Sequence, residues 1–180
     1  MNNKITFTKV RSVKSPQQSY SYPAGTDIFI PDYSSSFRND LVAKNQNRCD
    51  YELSVSPSLD SMTITIAPHG RINIPSGIKV DIENKDTCLL VANKSGVASK
   101  KGLNHLAELI DADYHGEIHI NLYNTGSEPV KITTGDKITQ LMNLPIIYPT
   151  WEEISNDEFS KCVESTLRGE KGFGSSDSLT

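Results

Sequence analysis

Four stretches of this chain alternate apolar and polar side chains with a period of two: MTITIAP at 62–68, RINIPSGIKVDIE at 71–83, GEIHINLYN at 116–124 and PVKITTGDKITQLMNLPI at 129–146. Successive side chains of an extended strand point to opposite faces, so this pattern suits half-buried strands and cannot build one apolar stripe on a helix. Gly, Pro and Asn separate the stretches, as strand-ending turns require. An all-β sandwich or barrel is predicted. Helical periodicity is confined to short pieces, in FRNDLVAKNQ, after Ser95 and in WEEISNDEFSKCV. The polar, weakly periodic stretch from Asp32 to Asp60 reads as an insertion between two strands.

The 180 residues, 36% of them hydrophobic, are enough for one core. We expect a single β domain over residues 1–164. From Ser165 onward only Phe173 offers much to bury, so 165–180 is expected to be a flexible arm. A net charge of −4 without a basic stripe argues against stable nucleic-acid binding. The longest apolar runs, CLLVA and LPII, are too short to span a bilayer, and MNNKITFTKV has no signal-peptide core. No membrane association and a cytoplasmic location are expected. Cys49, Cys88 and Cys162 form no CxxC pair and read as reduced thiols.

Four polar constellations stand out, each with an ordinary structural reading beside it. LIDADYHGEI, at 109–118, places Asp111 and Asp113 two positions apart, where Asp and Gly also suit a plain turn. NKSGVASKKG, at 93–102, ends a strand with Lys94, Ser95 and Gly96, small residues whose backbone N–H groups an oxyanion can approach. The same segment could be a solvated loop. In TGDKITQL, Gln140 is an amide among apolar neighbours, which needs partners that backbone alone could supply. RGEKGFGSSD, at 168–177, has the residue types of a phosphate loop but fails the GxxxxGK[ST] pattern and lacks the strand and helix that pattern needs.

Taken together and in order, these segments resemble the trimeric dUTPase family, whose five motifs match AGTDI at 24–28, NKSGVA at 93–98, LIDADYHGEI at 109–118, GDKITQL at 135–141 and RGEKGFGSS at 168–176. The resemblance implies a distorted jelly-roll fold, a homotrimer with active sites at subunit interfaces, and Mg²⁺-assisted hydrolysis of dUTP to dUMP and pyrophosphate. By the same resemblance, Asp111 orients and deprotonates the attacking water; carboxylates are ionised at neutral pH and accept a proton when geometry supplies what basicity lacks. Gln140 helps hold the water or a nearby phosphate, and Ser95, with Lys94 and Gly96, receives phosphate oxygens. Tyr114 lies beneath the deoxyribose, and backbone groups of the hairpin before Asp111, Ile110 among them, read uracil. Asp27 supports the water shell of Mg²⁺. From the arm, Arg168, Gly174, Ser175 and Ser176 grip the triphosphate and Phe173 stacks on the base.

The chain departs from the family pattern at several places. Lys94 stands where Arg is usual, and a lysine cannot make the planar two-pronged contact of a guanidinium. Glu108 replaces a Gly beside the uracil hairpin, and the expected Asn there corresponds to Asn104 or His105. Lys171 and Asp177 occupy positions that are often Gly. The long 32–60 segment and the AGTDIFIP opening resemble a bacteriophage-type member. The nearest enzymatic alternative, dCTP deaminase, places a catalytic Glu where this chain has Asn121. A non-hydrolytic nucleotide-binding or regulatory protein of the same fold is the alternative from another class.

Overall fold

The computed structural model of the protein describes residues 4–164. Its chain divides into two compact units, Met1–Ile147 and Tyr148–Thr180. The first unit contains β1 (Ile5–Lys9), β2 (Thr26–Phe29), α1 (Ser35–Lys44), β3 (Tyr51–Val55), β4 (Met62–Ile66), β5 (Arg71–Ile82) and β6 (Thr87–Asn93). It continues through α2 (Ser95–Lys101), β7 (Leu103–His105), β8 (Leu109–Ile110), β9 (Glu117–Asn124), β10 (Val130–Thr133) and β11 (Lys137–Pro145). In the second unit, α3 (Asn156–Glu164) begins with a capping box. There the Ser155 N–H and Oγ donate to Glu158 Oε2 at 2.9 and 2.7 Å, and the Glu158 N–H donates back to Ser155 Oγ at 3.3 Å.

Three antiparallel sheets enclose the core, with strand orders β1-β5-β9-β7, β10-β4-β3 and β2-β11-β6-β8. The alternation seen in the sequence becomes burial. In β9 every second residue is buried, Ile118, Ile120, Leu122 and Asn124, and in β4 Met62, Ile64 and Ile66 face inward. Strand β6 lies between β11 and β8 and is buried on nearly every residue through Val91. Its sequence is accordingly a continuous apolar run with no period to read.

The 32–60 segment lies between β2 and β4 and contains α1 and β3. Helix α1 is capped by Ser34, whose side chain accepts from the Phe37 N–H at 3.1 Å and satisfies one orphan donor of the first turn. Phe37 and Leu41, one helical turn apart, are both fully buried in the core. The buried Asn45 then joins the helix end to β5. Its amide nitrogen donates to Leu41 O and Asn73 O, and its Oδ1 accepts from Asn73 N. A segment read as polar and weakly periodic therefore packs as an integral part of the core, because two large apolar residues at one helical spacing suffice to anchor it.

Candidate active site

Strand β6 organises the candidate residues into two groups, one at each end. Beyond its C-terminal end, Lys94 is extended and precedes α2, and Ser95 and Gly96 are exposed in that helix's first turn. A Cβ at Gly96 would meet nothing within 4 Å, so the space over this backbone is open. Asn93 ties a neighbouring strand to the same end: its Nδ2 donates to Asn104 Oδ1 at 2.9 Å and its Oδ1 accepts from His105 N at 3.2 Å.

Gln140 on β11 faces Asp27 of β2 on one side and Ala92 of β6 on the other. The Gln140 Nε2 donates to Asn93 O at 2.9 Å. Gly25 makes room for this side chain, since a Cβ there would collide with Gln140 Oε1. Asp27 is only 3% exposed. Its Oδ1 takes the Lys94 ammonium, while its Oδ2 accepts from Lys137 Nζ at 3.0 Å and Ser19 Oγ at 2.9 Å. Burial pushes the Asp27 carboxyl up, but the hydrogen bonds from Lys94, Lys137 and Ser19 outweigh it and hold the group below the usual carboxylate range. Two ammonium groups against one carboxylate leave a positive excess, and the Lys137 side chain is half-exposed.

A carboxylate offers about four acceptor sites and Lys94, Lys137 and Ser19 take three, so the role in a metal's water shell implied for Asp27 would draw on the lone pair they leave. Among the described residues no group of three or more His, Cys, Asp or Glu could hold a metal ion. The residues present do not fit a protein-held Mg²⁺; an ion carried on substrate phosphates and water needs no such cage.

The chain then runs from His105 alongside β6 toward its other end, with Val91 N donating to Glu108 O and Leu89 paired with Ile110. Here the expected hairpin before Asp111 is replaced by a crossover. Strand β7 joins the β9 edge and β8 the β6 edge, so the backbone between them passes from one sheet to another. Asp111 follows β8 and is exposed, and Tyr114 N donates to Asp111 O at 3.1 Å across the turn. Tyr114 folds back over Gly116, where a Cβ would strike its hydroxyl, and donates from that hydroxyl to Glu117 O at 2.9 Å. Lys85 Nζ donates to Ala112 O at 2.9 Å and pins the same turn to the end of β5.

The structure therefore brings Asp27, Lys94, Ser95, Gly96, Asn104, His105 and Gln140 to one end of β6, and Ile110, Asp111 and Tyr114 to the other. Extending the pairing by one residue sets Asp111 level with Cys88, whereas Gln140 is level with Ala92. Four residues of rise and two strand spacings place Asp111 and Gln140 about 16 Å apart within one chain. His105 is buried, its Nδ1 has no partner among the described residues, and burial pushes the imidazole below its usual value against smaller effects of Asn121, Glu108 and Ala92. Arg168, Phe173, Gly174, Ser175 and Ser176 lie outside the described residues. Sequence reasoning missed Lys137, Gly25 and Asn93 as members of the site. All three stand inside or beside the quoted motifs, but their roles depend on which strands are neighbours.

An antiparallel β protein with a cationic cluster at one strand end and an exposed aspartate at the other suits an anionic substrate and water-mediated chemistry. A model of the dUTPase family matches residues 41–177. The chain belongs to the dUTPase family. It is 34% identical over 115 residues to a deoxyuridine 5'-triphosphate nucleotidohydrolase of Aeromonas salmonicida, covering 63% of this chain and 72% of that protein. It is 35% identical to one of Shewanella amazonensis with the same coverage. In fold it is similar to a mutant of the dUTPase of Staphylococcus bacteriophage 80alpha with dUpNHpp, with a TM-score of 0.68, 23% identity, and 97% and 99% of the two chains covered. It is also similar to a mutant of the dUTPase of phage phi11 of S. aureus, described with a structural Mg(II) ion, with a TM-score of 0.61, 21% identity, and 87% and 100% covered.

Proposed function

We propose that the protein hydrolyses dUTP to dUMP and pyrophosphate. The observation that carries this reading is the family match over residues 41–177, which spans four of the five motifs. The chemistry of the cluster supports it: Lys94 and Lys137 outnumber the one carboxylate between them, Ser95 offers a hydroxyl, and the backbone at Gly96 is open to a phosphate oxygen. Phosphoryl transfer needs positioned charge more than a covalent nucleophile, and these groups supply it. Asp111 accepts the proton of the attacking water, Gln140 orients the water or the adjacent phosphate, and Tyr114 carries the sugar. Mg²⁺, when it arrives on the triphosphate, neutralises phosphate charge. By the family resemblance, Arg168, Gly174, Ser175 and Ser176 grip the triphosphate and Phe173 stacks on the base.

The working site belongs to a homotrimer. Asp111 and Gln140 must flank the same water, yet about 16 Å separates them in one chain. Subunit association, with Asp111 from one copy meeting Gln140 from another, reconciles the two.

The test is a substrate panel on the purified protein with Mg²⁺, following pyrophosphate release from dUTP, dTTP, dCTP and UTP. Release from dUTP should far exceed the other three. No release, or equal rates for all four, refutes the reading.

A further inference from the structure

Arg11 stands outside every motif in the sequence, yet each nitrogen of its guanidinium is engaged, two of them by Glu117 of LIDADYHGEI. Nε and Nη2 donate to the two oxygens of Glu117 at 2.9 and 2.8 Å, and Nη1 donates to Asp40 of α1 at 2.9 Å. The Gly77 N–H adds a third bond to Glu117, at 2.6 Å on Oε1. The guanidinium also lies over the Phe37 ring, 5.9 Å from its centre. The side chains of Arg11 and Glu117 are only 14% and 15% exposed. Such a bidentate, partly desolvated pair holds its partner in one geometry.

The first residue of β9 sits beside a register shift in its ladder, where such a clamp adds a second restraint. Pairing between β5 and β9 passes from Pro75↔His119 to Lys79↔Glu117, so β5 spends four positions where β9 spends two. Gly77, at φ +79°, forms this bulge, and a Cβ there would press on Arg11 Cγ at 2.6 Å. What Glu117 holds in turn is Tyr114: its carbonyl accepts the phenol hydroxyl, and the adjacent Gly116 leaves space for the ring.

We propose that Arg11, braced by Asp40, is a positioning residue for sugar discrimination: through Glu117 it sets the position of the Tyr114 ring and so the clearance for a 2′-hydroxyl. This rests on the reading of Tyr114 as the ring beneath the deoxyribose, and it gives helix α1 of the 32–60 segment a role in selectivity. In Arg11→Met the clamp is lost and the ring can shift. The ratio of kcat/KM for dUTP to that for UTP should then fall about tenfold, within the range that sub-ångström misplacement can cost. Arg11→Lys keeps the charge but cannot bridge both Glu117 oxygens and Asp40, so its ratio should lie between the two. Ile132→Val, in the core on β10, is the control that lowers stability without touching the clamp.

A fallen ratio in Arg11→Met with an unchanged ratio in Ile132→Val supports the assignment. An unchanged ratio in Arg11→Met, or an equal fall in both variants, overturns it. Should Arg11→Met fail to fold, Asp40→Asn decides in its place: a smaller fall supports the assignment and no change overturns it. Wild type measured alongside separates the two levels. If it does not cleave dUTP, the activity and the inference fall together; if it does and the ratios are unaltered, only the inference falls.

Discussion

Replacing Asp27 with Asn removes the one negative charge between Lys94 and Lys137 while keeping the size of the side chain. Lys137 is half-exposed and can turn to water, but the Lys94 side chain is only 21% exposed and loses its counter-charge where it stands. Removing one partner of a buried pair costs roughly 3–5 kcal/mol, and partial exposure of Lys94 sets the expectation at the low end, about 3 kcal/mol at pH 7. For a chain of this size that lowers Tm by roughly 6–12 °C. Urea unfolding of wild type, Asp27→Asn, Lys94→Met and the double variant, at one protomer concentration, measures it. The double variant should be less damaged than Asp27→Asn, because the one ammonium left without its carboxylate, Lys137, is half-exposed and can turn to water. The pH dependence has a definite sign. The folded-state pKa of Asp27 lies below the usual carboxylate value, so its stabilisation is fully present above that usual value and is lost as pH falls through the folded one. The gap between wild type and Asp27→Asn should therefore hold steady from pH 7 to about pH 5 and narrow only below about pH 4. A gap under about 0.5 kcal/mol at pH 7, the size of an exposed pair, would refute the reasoning.

Asp111→Asn should abolish turnover while dUTP binding, followed by calorimetry, survives; normal turnover would show that the proton goes elsewhere. Gly25→Ala would push aside the flexible end of Gln140, not the backbone, so activity should drop with little change in Tm. Leu41→Ala, at a fully buried position on α1, should cost roughly 2–5 kcal/mol in urea unfolding, whereas a dispensable insertion would tolerate it. His105 is held below its usual pKa by burial, so its neutral form is favoured in the folded state. Its contribution to stability is complete above the ordinary imidazole value, about 6.5, and declines as pH falls below it. His105→Gln should flatten the loss of stability between pH 6.5 and 5, and an unchanged slope would exclude His105 as its source.

Much of the architecture was legible from periodicity alone. The alternating stretches at 62–68, 71–83, 116–124 and 129–146 became β4, β5, β9, β10 and β11, and the three short helical stretches coincide with α1, α2 and α3. Strand β6 was hidden because a strand buried on both faces carries no alternation, and β7 and β8 because two or three residues hold no period. The candidate site was legible as residue types in order, with Asp111, Tyr114, Gln140 and Ser95 each inside a motif, but not as a geometry.

By itself, the sequence determined which faces are buried, where the turns fall and which family the chain belongs to, since all of these are written in local residue order. Only the tertiary structure decided that Asp27 serves two lysines, 67 and 110 positions away, and that Arg11 clamps Glu117 across 106. It also decided that Asp111 and Gln140 stand at opposite ends of β6. The reason is physical: a period of two reports which side of a strand meets the core, but not which strand lies beside it. Charge pairs and distances across the site depend on that neighbour.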